Sequence, residues 1–257
     1  MDKSSGKKSS ATFKFRLKID RAGGFVQLKN EIVWLYYLES HKMENTKDKK
    51  AALLAALLDE ALFGGMNAAN LRKAATNIGL SNGELEIMAP NSVISMIDYW
   101  FSRADDAVLA ALAASNGLKI REKATLAVRT RLEYLGKHKE ALRHAIVQLA
   151  LPHNAKRAAQ IGFRFADCAW RAFGDTSTDF NYYSKRTILL GVDISTATFF
   201  LGDDSPDHQD TWAFLDRRIE NIMQFEKAKA KLHKFTERFP DPIRLLAKLR
   251  FGERPLP

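Results

Sequence analysis

The chain has 257 residues, enough for one large domain or two small ones with a buried core. Its apolar content of 46% is that of an ordinary globular protein, and a single cysteine excludes a scaffold held by disulfides. The net charge of +10 lies at the two ends: residues 1–42 hold nine Lys and Arg against four Asp and Glu, and residues 227–257 hold nine against three. Because the part between them is close to neutral, the charge gives no support to a nucleic-acid interface on the body of the protein.

Residues 1–46 are predicted to be a basic N-terminal extension. The first 24 are rich in Lys and Ser, which is typical of a transit peptide or a disordered tail. Met43 precedes the first convincing helix, so we hypothesise that it is the native start; an intact mass that includes Met1 would contradict this. No run of about 18 uninterrupted apolar residues predicts a membrane-spanning helix.

Residues 47–90 are predicted to form a small three-helix head. Helices are expected over Lys49–Phe63 and Asn67–Ile78, followed by a glycine-containing turn and a short helix over Glu84–Ala89. This order is that of a helix-turn-helix, as in the DNA-binding head of TetR-type regulators. The short helix carries Glu84 and Glu86 and no Lys or Arg, whereas DNA binding requires phosphates to be neutralised. The head is therefore predicted to keep the shape of a DNA-binding unit without its basic surface.

Residues 91–235 are predicted to be a larger helical bundle. Helical periodicity extends over Asn91–Ser115, Ile120–Leu135, Lys139–Leu151, Ala155–Phe173 and Asp210–Phe235. No alternating strand pattern of useful length occurs. The predicted fold class is all-α.

A further helix is predicted to start within Asp175–Arg186, which reads DTSTDFNYYSKR, because Thr176 is followed three residues later by Asp179. At 100° per residue, one face of this helix carries Asp179, Tyr182, Arg186 and Asp193, with Tyr183 at its edge. The opposite face carries Phe180, Ser184, Thr187, Gly191, Ser195 and Thr198. We predict that the second face is packed and the first is exposed. From the residues alone, a charge ladder with tyrosines at the rim of the core is the favoured interpretation, and a protein interface is the alternative.

Three motifs resemble the COQ9 (COQ-nine) family, non-catalytic accessory proteins of ubiquinone (coenzyme Q) biosynthesis. They are LALPHN at Leu149–Asn154, TDFNYYSKR at Thr178–Arg186, and SPD followed by TWAFL within Ser205–Leu215. The resemblance covers roughly Lys47–Ala228, is strongest from Arg143 onward, and fits a bacterial-type member. It implies a TetR-like fold.

The resemblance also implies a docking surface for a demethoxyubiquinone-type hydroxylase. The matching residues here are Asp179, Asn181, Tyr182, Tyr183 and Arg186. The family often has tryptophan at the position of Tyr182, so this chain keeps an aromatic ring there but departs from the common residue. With this resemblance, the interface becomes the favoured interpretation of that face.

Aromatic residues concentrate near this helix and on the helix before it. Such residues usually form plain core, but the resemblance implies an apolar cavity that binds isoprenoid lipids. The candidates for its lining are Phe163, Phe165, Trp170, Phe173, Phe199 and Phe200.

Residues 236–257 are predicted to be a linker and a short basic amphipathic helix. Its membrane-binding candidates are Ile243, Arg244, Leu245, Leu246, Lys248 and Leu249. A helix of this kind lies in a membrane interface and favours anionic lipids, unless it folds back on the bundle. The resemblance implies peripheral membrane attachment.

No motif predicts catalysis or a metal site. The chain contains no C-x-x-C, H-E-x-x-H, G-x-G-x-x-G or G-x-S-x-G, and no Glu-x-x-His of a di-iron protein. Cys168, on an apolar helical stretch, is predicted to be a core residue. We expect no enzyme activity, no metal and no cofactor other than a bound lipid or isoprenoid quinone intermediate.

Together these features predict an accessory protein that binds isoprenoid intermediates at the membrane and presents them to the hydroxylase. The expected partners are that enzyme, isoprenoid lipid, anionic membrane lipids and a second copy of the chain, with no nucleic acid. The expected location is the cytoplasm at the inner membrane, or the matrix side in a mitochondrion. The alternative is a TetR-type transcriptional regulator with an apolar effector cavity.

Overall fold

The computed structural model describes residues 46–178 and 180–236, and for residue 180 and residues 223–236 it describes the backbone alone. The chain divides into two compact units, residues 1–51 and 52–257. In the first unit the described residues are 46–51, which are helical. Most of the N-terminal extension, with Met43, and the predicted membrane-binding helix, with all six of its candidate residues, lie outside the described residues.

The described part of the second unit is helical. Helix α1 covers residues 52–64, and the others are α2 (Ala68–Asn77), α3 (Asn82–Met88), α4 (Val93–Ala114), α5 (Ile120–Gly136), α6 (Lys139–Ala150), α7 (Ala155–Ala172), α8 (Phe180–Leu201) and α9 (Gln209–Thr236). Short 3-10 turns at Pro152–Asn154 and Pro206–His208 precede α7 and α9. No strand occurs in residues 46–178 or 180–236. The predicted all-α class is confirmed.

The helix-turn-helix has side-chain caps at both of its later helices. The Oδ1 atom of Asn67 accepts hydrogen bonds from the backbone of Ala69 and Asn70, both at 2.9 Å, at the start of α2. At the start of α3, Glu84 N donates to Ser81 Oγ at 3.3 Å and Ser81 N donates to the Glu84 carboxylate at 3.0 Å. This reciprocal pair is a capping box, which satisfies two backbone donors at once. Glu84, one of the two acids that make α3 unlike a DNA-reading helix, therefore caps the start of that helix.

Helix α4 forms the centre of the core. It packs along α5 and α7, while α8 packs against α7 and α9. Trp100, in the middle of α4, is 1% exposed, and its ring meets Phe101 edge to face at 5.9 Å between ring centroids. Burying a side chain of this size contributes about 5 kcal/mol from its apolar area. The bundle thus assembles around α4.

The loop before α9 is fixed by Asp203, which is buried. Its carboxylate accepts from Ser205 N at 2.8 Å and from Thr211 N at 2.9 Å. The bond from Thr211 satisfies a backbone donor at the start of α9 that has no partner within the helix, and the bond from Ser205 holds the loop before it. The acidic loop and the T-W-x-F-L motif that follows it are therefore joined through one side chain.

Helix α8 begins later than the Thr176 pattern predicts. Residues 175–178 are not helical, and α8 starts at Phe180. The reason is that this stretch folds over the first turns of α8: Lys185 Nζ donates to Asp175 Oδ1 at 2.7 Å and to Ser177 Oγ at 2.8 Å. Asp175 and Ser177, on either side of Thr176, are thereby held against α8 in a segment that is not helical.

Two glycines on neighbouring helices should respond to alanine in opposite ways. A methyl group at Gly136 would lie 2.8 Å from Cε1 of the buried Phe200 ring, whereas one at Gly191 meets nothing within 4 Å. We expect Gly136→Ala to lower the free energy of unfolding by about 1–3 kcal/mol through overpacking. Gly191→Ala should raise it by up to about 1 kcal/mol, because alanine favours the helix. Urea unfolding of both variants checks this, and equal effects would contradict the packing at Gly136.

Candidate functional site

The start of α8 is anchored by a buried arginine. Arg186 Nε donates to Asp167 Oδ1 on α7 at 2.7 Å, and its Nη1 donates to Asp175 Oδ2 at 3.1 Å. Its guanidinium carbon lies 3.5 Å from the centroid of the Tyr182 ring, which is a cation–π distance. Arg186 therefore joins α7, the segment before α8 and α8 itself.

The same contacts decide the ionisation of Asp175. Burial alone would raise the pKa of this carboxyl, but hydrogen bonds from Lys185, Ser177 and Arg186 outweigh it and hold the pKa well below its usual value. Asp175 stays an anion at neutral pH, and together with Asp167 it balances the charges of Lys185 and Arg186.

The predicted orientation of α8 is wrong. Arg186 and Asp193 of the charged face are 1% and 4% exposed, whereas Thr187, Gly191 and Thr198 of the small-residue face are exposed. The reason is that both charged residues have an opposite charge on a facing helix, which makes their burial tolerable. Arg186 is thus not an exposed docking residue.

The remaining docking candidates lie at the protein surface around the first turns of α8. Tyr183 is 61% exposed, and its ring meets that of Tyr182 edge to face at 5.0 Å between centroids. The hydroxyl of Tyr182, which is half-buried, donates to Asp167 Oδ1 at 3.0 Å. Asn181 is exposed next to them, and Asp179 lies outside the described residues. We call Asn181, Tyr182 and Tyr183 the tyrosine surface.

An apolar cavity of about 300 Å³ lies between α6, α7 and α8, and residues of α5 form its floor. Its wall and floor residues include Leu132, Leu135, Leu142, Ile146, Leu149, Ala158, Ile161, Leu190 and Ala197. Ile194 also lines it and is 57% exposed, which marks the mouth on the α8 side. A side chain at Gly162 would meet Leu190 Cδ1 at 2.6 Å, so this glycine lets α7 and α8 approach closely beside the cavity. We call it the α6–α8 cavity.

The six aromatic residues predicted to line a lipid pocket do not line the α6–α8 cavity. Phe165, Phe173 and Phe200 are buried in the core, Phe163 packs 6.2 Å from the Tyr182 ring, and Phe199 stacks on Phe214 at 4.6 Å. Trp170 instead lines a smaller groove of about 250 Å³ between α5, α8 and α9. The physical reason is that large rings fill the space between helices, and the cavity forms where glycine and alanine leave room.

A chain of ion pairs leads through the bundle to this cavity. It runs in the order Arg157, Asp98, Arg164, Asp105, Arg131 and Asp193. Arg164 Nε donates to Asp105 Oδ2 at 2.9 Å, and Arg131 Nε donates to Asp105 Oδ1 at 3.2 Å. The chain joins α4, α5, α7 and α8, and its three cations balance its three anions. We call it the arginine–aspartate chain.

The inner end of this chain forms part of the cavity lining. Arg131 and Asp193 both line the cavity and are 3% and 4% exposed. Burial raises the pKa of Asp193 and the nearby Asp105 adds to the rise, while the charge of Arg131 opposes it. Arg131 Nη2 and Asp193 Oδ1 have no hydrogen-bond partner among the described residues.

Sequence reasoning missed Arg131 and gave Asp193 only a place on a helix face. A signal was present: Arg131 stands within the apolar stripe of α5, beside Val128, Leu132 and Leu135. Asp105 stands likewise within the apolar stripe of α4. A charged residue inside a stripe of this kind requires a buried partner.

The described residues offer no metal centre. No group of three or more His, Cys, Asp or Glu side chains that could hold an ion occurs among them. No helix in this part of the chain is long and apolar enough to cross a membrane. Cys168 is half-buried, and burial together with the charge of Asp105 raises the pKa of its thiol to about 11. It is a poor nucleophile at neutral pH.

Comparison with known proteins finds similarity to one family. The COQ9 family model matches residues 155–226, which include the cavity wall of α7, the tyrosine surface and Asp193. The chain is 28% identical over 193 residues to the ubiquinone biosynthesis protein COQ9, mitochondrial, of Rattus norvegicus, which covers 72% of this chain and 62% of that protein. These matches support a relation of the chain to the COQ9 family.

Two other COQ9 proteins are similar to this chain, over different lengths of it. The Bos taurus protein is 28% identical, with 72% of this chain and 60% of that protein covered. The probable COQ9 protein of Dictyostelium discoideum is 34% identical over 118 residues, or 44% of this chain and 37% of that protein. The chain spans about three fifths of the length of the mammalian COQ9 proteins it matches.

A solved structure confirms the predicted TetR-like fold. The crystal structure of a TetR transcriptional regulator from Nitrosomonas europaea superposes with a TM-score of 0.56 at 21% identity, covering 67% of this chain and 97% of that one. At that identity the likeness concerns the fold alone.

Two arginines that pair with the same carboxylate should differ in their effect on stability. Arg186 is buried, whereas Arg171 pairs with Asp167 Oδ2 at 2.8 Å and is 70% exposed. We expect Arg186→Met to lower the free energy of unfolding by about 3 kcal/mol, because Asp167 and Asp175 each lose a hydrogen bond from a buried charged donor, although Arg171 and Lys185 still pair with them. Arg171→Met should cost less than about 1 kcal/mol. Urea unfolding measures both, and similar losses would show that burial at Arg186 is not the cause.

The ionisation of Asp175 should appear in the pH dependence of stability. Its folded-state pKa lies below the unfolded value of about 3.9, so it contributes stability above that pH, and the contribution is lost as the pH falls. We expect the free energy of unfolding to decline from about pH 5 downward, and to decline less steeply in Asp175→Asn. Asp216→Asn, at an exposed carboxyl on α9, should keep the native slope. Identical slopes in all three proteins would contradict the assignment.

Proposed function

We propose that this chain is a non-catalytic, lipid-binding accessory protein of ubiquinone biosynthesis. It holds the apolar part of an isoprenoid quinone intermediate in the α6–α8 cavity and presents the molecule to a demethoxyubiquinone-type hydroxylase. The observation that carries the proposal is the cavity: its lining is apolar apart from one charged pair and a threonine, and it reaches the surface at Ile194. The proteins similar to this chain are named as ubiquinone biosynthesis proteins, which supports a role for it in that pathway.

The cavity suits part of a polyprenyl tail. Its volume of about 300 Å³ is at the lower end for ligand pockets. Each buried methylene group contributes about 0.8 kcal/mol of transfer free energy, so a few isoprene units are enough for useful affinity. A longer tail leaves through the mouth at Ile194, in keeping with a protein that works at a membrane surface. Peripheral attachment through residues 236–257 stays a prediction, as does the homodimer.

The tyrosine surface is the proposed docking site for the hydroxylase. Aromatic side chains are enriched in interfaces because they bury a large area at little cost in conformational entropy. Tyr183 provides the exposed ring, and Tyr182 supports it from beside the buried Arg186. Arg186 takes part by positioning Tyr182, not by contact with the partner.

The alternative of a TetR-type regulator has less support. Its DNA-reading helix would be α3, where Glu84 is used as a cap, Glu86 is exposed, and no Lys or Arg occurs within Asn82–Met88. Each of these carboxylates would add repulsion to a phosphate backbone. A gel shift that weakens with salt would favour this alternative.

Two variants separate lipid binding from docking in one experiment. Ala158→Phe places a ring in the cavity, and Tyr183→Ala removes the exposed ring of the tyrosine surface. The full chain is used to capture binding partners from a membrane fraction, and co-purified lipids and proteins are identified by mass spectrometry. We expect the native chain to recover isoprenoid lipid and a ubiquinone-pathway hydroxylase. Ala158→Phe should lose most of the lipid, and Tyr183→Ala should keep the lipid but lose the hydroxylase.

Matched controls guard against unfolding and non-specific loss. Ala213→Phe adds the same ring at an exposed position of α9, and Phe63→Ala removes a 95% exposed ring at the end of α1. Both should behave as the native chain. Recovery of neither isoprenoid lipid nor hydroxylase by the native chain would refute the proposal.

A further inference from the structure

Helix α7 carries a row of exposed arginines next to the tyrosine surface. The row consists of Arg157, Arg164 and Arg171, which are spaced seven residues apart. Because seven residues are close to two helical turns, the three side chains follow one face of α7 over about 21 Å. They are 42%, 37% and 70% exposed. We call them the arginine row.

The carboxylates that pair with the arginine row lie beneath it. The first two arginines share Asp98, whose side chain is 17% exposed, and Arg164 also pairs with Asp105, which is 7% exposed. Arg171 pairs with Asp167, which is 21% exposed. Each of these three acids is shared between two arginines and is more deeply buried than the row. A group that approaches α7 from solvent therefore meets positive charge first.

The arginine row is continuous with the tyrosine surface. Arg171 Nε pairs with Asp167 Oδ2 at 2.8 Å, and the other oxygen of that carboxylate accepts from the Tyr182 hydroxyl at 3.0 Å. Phe163, next to Arg164 in the sequence, packs against the Tyr182 ring. A protein interface of ordinary size covers about 800 Å² of each partner, which equals a disc of about 16 Å radius. A protein docked on the tyrosine surface therefore covers Arg171 as well.

The row determines which chemistry suits the surface that faces it. A guanidinium group binds a carboxylate through two parallel hydrogen bonds, whereas Lys or Arg on the partner would be repelled by it. The guanidinium groups are also held by ion pairs to the helices beneath, so their spacing is set before a partner arrives. Cations at a set spacing match the fixed carboxylates of a folded protein better than the mobile head groups of a bilayer.

We propose that the arginine row is part of the docking surface and that the partner surface facing it is acidic. This deepens the proposed function and rests on it, since it assigns the charge of the hydroxylase surface that meets the tyrosine surface. The tyrosine rings provide the centre of the interface, and the arginines provide a charged rim. Charges at a rim act mainly on the rate of association and on the orientation in which the partners meet.

Charge variants of Arg171 test this, because it is the most exposed member of the row and the nearest to Tyr182. Association of the full-length chain with the purified ubiquinone-pathway hydroxylase of the same organism is measured by biolayer interferometry. In about 0.05 M salt, we expect Arg171→Glu to associate about tenfold more slowly than the native chain. Arg171→Lys keeps the charge and should stay within about threefold. In about 1 M salt the Debye length falls to about 3 Å, so Arg171→Glu should approach the native rate.

Arg217→Glu is the matched control. It makes the same change of charge at an exposed arginine of α9, outside the arginine row. We expect it to associate at close to the native rate in both salt concentrations. Equal slowing by Arg217→Glu and Arg171→Glu would show that net charge alone acts, and would overturn the assignment of the row.

The other outcomes separate this inference from the proposed function. If Arg171→Glu associates like the native chain while Tyr183→Ala still loses the hydroxylase, docking stands and the acidic partner surface is wrong. Faster association of Arg171→Glu would show a basic partner surface. A loss that persists in about 1 M salt would give Arg171 a structural role through Asp167 instead. Failure of the native chain to bind the hydroxylase would overturn both proposals.

A membrane is tested as the competing partner of the row. Vesicles of phosphatidylcholine with phosphatidylglycerol are sedimented with the native chain and with Arg171→Glu. We expect equal sedimentation of the two, because the row faces a protein. Weaker sedimentation of Arg171→Glu, with unchanged association to the hydroxylase, would place the row against anionic lipid and overturn the inference.

Discussion

The buried arginine–aspartate chain is the constraint on which the arrangement of the bundle depends. It joins α4, α5, α7 and α8, and its inner members are almost fully removed from water. Buried charges of this kind add little net stability compared with apolar residues, but loss of one partner costs about 3–5 kcal/mol. Helices that meet through such pairs have few alternative registers, since any slip leaves a charge unpaired. The arginine–aspartate chain therefore fixes the relative position of α7 and α8, two of the three helices between which the cavity forms.

Helix α8 carries a buried ion pair at two points, and the two serve different purposes. Near its start, Arg186 is paired with Asp167 and Asp175, and in its middle, Asp193 is paired with Arg131. The first cluster supports the tyrosine surface, and the second provides the polar base of the cavity. Because both clusters lie on one helix, the proposed docking surface and the proposed lipid site are held in a constant spatial relation.

Periodicity and turn residues were enough to predict the helices and the all-α class, whereas the geometry of the site was not predictable in the same way. Apolar stripes and helix breakers such as Pro152 determine where helices lie, and these are local properties. Whether Arg186 faces water or the core depends on Asp167 and Asp175, one of which lies on another helix. A single helical wheel cannot contain that information. The aromatic candidates do not line the α6–α8 cavity for a related reason: the volume left between helices is set by small residues such as Gly162, not by large ones.

The Tyr182 side chain is held in one position before any partner binds. Its hydroxyl is bonded to Asp167 and its ring lies against the guanidinium of Arg186. A side chain already fixed in one rotamer loses little conformational entropy when a partner covers it, a loss that otherwise amounts to about 0.5–1.5 kcal/mol for each immobilised side chain. Complex formation at this surface is then closer to the docking of two rigid bodies than to mutual adaptation, and its specificity resides in the shape that the free protein already has.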